Sequence, residues 1–186
     1  MSWLRKLFGK EADKPSSPPT DSPPELAAEL LEAEKMASQL EDYLLSDTLF
    51  WQISVETPLG TRQPKMTLGS LYERMQRLDA RQAELGPNDR ARLASIQRAW
   101  DEAQARFPEQ WREKLRREFK SYLHNWQYYL EQRSSSERWA QEYKVEVRNR
   151  ERARLVLRLL GPEASSDLMK EYKTVEETLD GPPEAM

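Results

Sequence analysis

From Glu109 to Leu160 the chain runs through 52 residues without a proline or a glycine. Proline removes a backbone donor and clashes with the preceding helical turn, while glycine leaves the helical region readily, so a stretch lacking both contains nothing to stop a helix. As one helix it would extend about 78 Å at ~1.5 Å per residue. A break is expected at Ser134-Ser135-Ser136, where the apolar pattern lapses and Ser134 with Glu137 has the form of a capping box. The helix before the break is expected to bury Trp111, Leu115, Phe119, Tyr122, Trp126 and Tyr129 or Leu130. The helix after it uses Trp139, Tyr143, Val147, Ala153, Leu157 and Leu160, and stops at Gly161-Pro162.

The 12 prolines and 6 glycines punctuate the rest. Five prolines lie within residues 15–24 and read as linker, while Pro58, Pro64, Pro87 and Pro108 mark internal boundaries. Between Pro24 and Trp51 the apolar positions Leu26, Leu30, Ala33, Ala37, Leu40 and Leu44 alternate by four and three, one face of an amphipathic helix. Trp51, Ile53 and Val55 then alternate with polar residues at a period of two, which predicts a short strand folding back through Pro58-Leu59-Gly60 onto residues 61–66. Thr67 is the expected N-cap of a helix through Leu68, Leu71, Met75 and Leu78 to Gly86. A further helix from Pro87 carries Leu93, Ile96, Trp100, Ala103 and Phe107 on one seam. A last piece, Ser166 to Asp180, spaces Leu168, Tyr172, Val175 and Leu179 in the same way, to dock on the bundle or pair with a partner helix. The fold class is therefore all-α: a bundle of about five amphipathic helices across residues 25–161, with coiled-coil-like seams and a short β-hairpin insertion near 51–66. An acidic tail, 162–186, carries the short helix over 167–180.

No cysteine is present, which excludes thiolate metal sites and thiol nucleophiles, and His124 is the sole histidine. No multi-histidine zinc site or paired ExxH motif can be built from it. The phosphate-cradling and nucleophile-elbow glycine motifs are missing as well. The sequence therefore points away from an enzyme and indicates no cofactor, metal or small-molecule substrate. No run approaches the ~20 apolar residues of a bilayer span.

The formal net charge of −3 conceals a segregation along the chain. Residues 1–10 carry three bases and no acid, and residues 11–60 carry 11 acids and 2 bases. Residues 106–158 carry 14 bases and 8 acids, and residues 159–186 carry 7 acids and 2 bases. In the basic half, Arg112, Arg116 and Arg117 lie on one helix and Arg148, Arg150, Arg152, Arg154 and Arg158 on the next. Clustered on one face they could bind phosphate, and with Trp100, Trp111, Trp126 and Trp139 among them they supply the alternative reading, a nucleic-acid-associated helical protein. Against it, each tryptophan falls on the apolar stripe of its own helix. Glu142, Glu146 and Glu151 also stand at ion-pairing spacings from the arginines. The basic half could equally attract the acidic first helix, within one chain or between two.

The first ten residues carry the sharpest expectation. Trp3, Leu4, Leu7 and Phe8 share one face of a helix, surrounded by Arg5, Lys6 and Lys10, the composition of an interfacial membrane helix. Burial of four large apolar side chains contributes ~6–12 kcal/mol, ordering about ten residues costs ~1–2 kcal/mol each, and about three basic groups on anionic lipid add ~1 kcal/mol each. Binding is then weak, reversible and lipid-dependent. The same face could dock into a protein groove or pack on the bundle. A Pro/Ser-rich flexible linker, 11–24, separates this segment from the body. The expected function is that of a non-catalytic helical interaction or scaffold protein with a protein partner or second copy. It is cytoplasmic, and peripheral on the inner membrane face where the first segment binds lipid.

Overall fold

A computed structural model describes residues 21–132, 137–164 and 166–180. The chain is all-α with one small β insertion. Seven helices occur among the described residues: α1 (Pro24–Ser38), α2 (Leu40–Leu45), α3 (Leu68–Ala80), α4 (Pro87–Arg106), α5 (Pro108–Gln132), α6 (Glu137–Ala164) and α7 (Ser166–Asp180). The predicted seams face inward. Leu26, Leu30, Ala33, Leu40 and Leu44 are buried, as are Leu68, Leu71, Met75 and Leu78 of α3, and Leu93, Ile96, Trp100 and Ala103 of α4. In α5 every expected core position from Trp111 to Tyr129 is buried. Helix α5 ends at Gln132 and α6 begins at Glu137, and the break expected at Ser134-Ser135-Ser136 falls on residues 133–136, which lie outside the described residues.

Two helix boundaries and one side chain differ from expectation. The first helix does not reach Trp51: it bends at Gln39, and α2 ends at Leu45. There Lys114 of α5 donates from Nζ to the carbonyls of Ser46 (2.7 Å) and Thr48 (2.6 Å), and the Tyr43 hydroxyl donates to Leu49 O. Carbonyls that a continued helix would have used internally are held by a distant side chain. The second helix, α3, stops at Ala80 rather than Gly86 and hands over to a single 3-10 turn at Gln82–Glu84. Pro87 disfavours helical backbone at Gly86. Tyr143, expected inside, is 45% exposed, although its ring stands 6.3 Å from Trp126 and 6.2 Å from Tyr129.

The insertion is one hairpin in two pieces. Outer strands β1 (Trp51–Gln52) and β4 (Lys65–Met66) pair antiparallel, as do inner strands β2 (Val55–Thr57) and β3 (Gly60–Arg62). Between them Pro64 has no N–H to give the ladder, and only its carbonyl takes part, accepting from Ile53 N. Gly60, at φ +97°, closes the turn. Ile53, Val55 and Thr57 face the body.

Thr67 caps α3 as expected, in a reciprocal box with Ser70: each side-chain oxygen accepts from the other residue's backbone N–H, at 2.9–3.0 Å. The cap of α4 was not legible in its own vicinity. Gly86 offers no side chain there, and the Asp21 carboxylate accepts instead from the N–H groups of Asn88 (3.3 Å) and Asp89 (3.4 Å). Ser22 donates to Asp89, whose carboxylate is fully buried, and accepts from Gly86 N. A Cβ at residue 86 would fall on the Asp21 carboxylate, so a larger residue there would displace Asp21 from the clasp. The last residues of the Pro/Ser-rich segment are thus clasped to the start of α4.

The acidic first helix finds its partners within the same chain. Glu29 pairs with Arg77, Glu32 with Arg62 and Arg74, Glu34 with Arg92, and Glu41 of α2 with Arg106. All lie in residues 62–106, so only Arg106 comes from the strongly basic half. At the other end, α6 turns at Gly161 (φ +76°), and α7 folds back to bury Leu168, Tyr172 and Val175 against α6 and α5.

Candidate functional site

The segment with Trp3, Leu4, Arg5, Lys6, Leu7, Phe8 and Lys10 lies outside the described residues. The eight arginines are all described, and the fold divides their work. On α5, Arg112 pairs with Glu109 one turn earlier, and Arg117 donates to Asp47 O (2.8 Å); Arg116 is exposed. On α6, Arg150 and Arg154 both grip Glu176 of α7, and Arg154 also donates to the Tyr172 hydroxyl. Burial alone would raise the Glu176 carboxyl's pKa, but the two guanidinium groups outweigh it and hold the carboxyl below its ordinary range. Arg152 leans on Glu73 of α3 through Nε at 3.5 Å. Arg148 and Arg158 are exposed and form no ion pair with another described residue. Of the eight, Arg150 and Arg154 are the mortar between α6 and α7.

The tryptophans are core residues where described. Trp100, Trp111 and Trp126 are buried, with Trp100 and Trp111 packed edge to face at 4.4 Å. None of these three faces could stack on a base. Trp139 has no described side chain.

A buried carboxyl sits where α3 meets α5. Glu118 has no exposed surface, and its oxygens accept from Gly69 N (3.0 and 3.2 Å), from the Thr67 hydroxyl and from the Tyr122 hydroxyl (3.1 Å). It stands at the N-terminus of α3, where free N–H groups and the helix dipole favour negative charge. Burial is the larger effect, and the pKa of its carboxyl is pushed up to about 7, despite the three donors and the nearby Arg152. The same burial, with the Glu118 charge, raises the Tyr122 phenol above its ordinary range. A Cβ at Gly69 would stand 2.6 Å from Glu118 Oε1, so the helix must begin with glycine at its second position. Glu118 was missed at the sequence level, although a signal existed: it lies three residues after Leu115 and four before Tyr122, on the inward stripe. With its oxygens occupied and out of reach of solvent, it is placed to order the α3–α5 junction.

Lys114, a turn before Glu118, is the second buried charge of α5. Burial, reinforced by Arg117, lowers the pKa of its ammonium. The two carbonyls and the face of the Tyr43 ring, 4.3 Å away, replace its lost hydration.

Three open clefts differ in charge. One between the end of α2 and the start of α5 mixes Lys114, Arg116 and Arg117 with Asp47, Glu109 and Glu113. One between α3 and α6 mixes Arg77 and Arg148 with Glu73 and Glu151. The third, of about 380 Å³, lies where the hairpin, α3, α5 and α6 converge, and no carboxylate lines it. Among the described residues no group of three or more His, Asp or Glu side chains could hold a metal ion, and no helix is long and apolar enough to cross a membrane. Compared with protein-family models, with curated proteins and with solved structures, the chain has no significant match.

Proposed function

We propose that this chain is a non-catalytic helical interaction protein, a scaffold tethered to the cytoplasmic face of an anionic membrane by the amphipathic segment Trp3–Lys10. Its body meets a protein partner or a second copy. The observation that carries the reading is the clasp of Asp21 and Ser22 on Gly86, Asn88 and Asp89. It gives the N-terminal arm a defined root on the body, at the start of α4. Between Lys10 and that root stand the ten residues Glu11–Thr20, which reach at most about 35 Å fully extended. An anchor on such a tether holds the body within one protein diameter of the surface it binds. The paired charges and buried tryptophans support a body that is scaffold rather than catalyst. The nucleic-acid alternative keeps its charge argument in Arg148 and Arg158 but lacks the stacking faces of three of its four tryptophans.

Co-sedimentation with vesicles tests the tether. The full chain is expected to pellet with anionic vesicles, less with neutral ones, and less again as salt rises through the range where the Debye length falls below ~10 Å. The chain lacking residues 1–10 is expected to stay in solution. Equal behaviour of the two forms, in either direction, overturns the membrane reading. Recovery of the chain from cells as a lone monomer overturns the scaffold reading.

A further inference from the structure

The third cleft is singled out by what it lacks. In a chain with 32 acidic residues and a net charge of −3, it is lined by Lys65, Arg74 and Arg152 and by no carboxylate. Each cation arrives from a different element: Lys65 from β4, Arg74 from α3 and Arg152 from α6. Acids do stand behind the wall, and they position the cations rather than fill the space. Arg74 is held from the far side by the buried Glu32 of α1 and donates to Ser70 O, so it lends charge from a fixed place. Arg152 meets Glu73 through Nε at 3.5 Å, at the rim shared with the second cleft, and its guanidinium carbon stands 5.7 Å from the centre of the Tyr122 ring. Its guanidinium makes no hydrogen bond within 3.5 Å to another described residue, and neither do the Lys65 ammonium and the exposed amide of Asn125.

A guanidinium fork, an ammonium and an amide that converge on one space make a donor set for a tetrahedral oxyanion: the fork bridges two oxygens, and the ammonium supplies a point charge. A phosphate monoester carries about −1.5 to −2 at neutral pH, which matches the cations better than a single carboxylate does. The cleft is also larger than a phosphate alone needs. At about 380 Å³ it falls in the range of small-ligand sites. Phe50, 38% exposed and edge-on to Tyr122 at 6.3 Å, gives it an apolar wall for an organic remainder. We propose that this cleft binds a small soluble phosphate monoester, its phosphoryl group held by Arg152, Lys65 and Asn125 and its organic part laid against Phe50. The proposal does not rest on the membrane-tether reading.

Calorimetric titration of the full chain with phenyl phosphate, inorganic phosphate and benzoate, at about 50 mM salt so that screening stays modest, tests it. Phenyl phosphate is expected to bind, inorganic phosphate several-fold more weakly for want of the apolar contact, and benzoate about ten-fold more weakly or worse. Lys65→Gln should weaken phenyl phosphate about ten-fold, the loss expected for one charge-assisted hydrogen bond. Asn125→Ala should weaken it less, and Phe50→Ala should reduce the preference for phenyl phosphate over phosphate. Lys65 and Asn125 are exposed, so an unchanged melting temperature confirms that those variants are folded. The proposal is overturned if phenyl phosphate does not bind, if folded Lys65→Gln and Asn125→Ala bind it undiminished, or if phosphate is bound only on phosphatidic acid vesicles and not in solution.

Discussion

Glu118 shows how much one residue can decide. Its carboxyl receives a backbone N–H from Gly69 and two hydroxyls, and burial still keeps its pKa near 7. The folded state therefore binds a proton more tightly than the unfolded chain, where a glutamate titrates near 4.5. The stabilisation is complete below that value and is lost as pH rises through about 7, with a total on the order of 3 kcal/mol. Melting temperature is accordingly expected to fall between pH 5 and pH 8. Glu118→Gln, which cannot ionise, should flatten that slope. A wild-type melting temperature that is level across this window, or a variant that keeps the slope, contradicts the assignment. The neighbouring Gly69→Ala places a methyl 2.6 Å from Oε1 and should destabilise by about 1–3 kcal/mol in denaturant titration, the usual cost of overpacking.

At the scale of elements, ends and junctions are set by side chains far away in sequence. Lys114 ends α2, Asp21 caps α4, and Glu176 binds α7 to α6 through Arg150 and Arg154. The last junction is testable because it is local. Glu176→Ala removes the carboxylate that Arg150 and Arg154 share, leaving Arg154 paired only with Glu151 of its own helix. The pair is partly solvent-screened, so the loss should be about 1 kcal/mol. Amide exchange in α7 is then expected to quicken about five-fold, while α1 and α4 keep their protection. A uniform change across all helices would mean that α7 unfolds only with the whole body.

For the whole molecule, the charge blocks along the chain become contacts in space. The acids of α1 and α2 meet arginines from the hairpin, α3 and α4, and the basic half is partly neutralised by Glu73 and by α7. The basic tip of residues 1–10 lies outside the described residues. If it serves an external surface, its removal should leave the melting temperature of the body within about 1 °C of the full chain. A drop of several degrees, the shift expected for a loss of about 1 kcal/mol in a domain of this size, would place it on the bundle instead.

Much of the architecture is legible in the sequence because helix formation and seam burial are local and periodic. Pro and Gly positions bound the helices, the spacing of Leu93, Ile96, Trp100 and Ala103 names the inward face of α4, and Thr67 announces its cap. The period of two at Trp51–Val55 announces the hairpin. The candidate sites are another matter. That Arg152 and Lys65, 87 positions apart, share a carboxylate-free cleft follows only from the way four elements converge. So does the meeting of Asp21 with Asn88 and of Glu118 with Gly69. A charged side chain's role is set by which opposite charge or dipole lies within a few ångströms of it, and sequence spacing defines that distance only within one helix or strand.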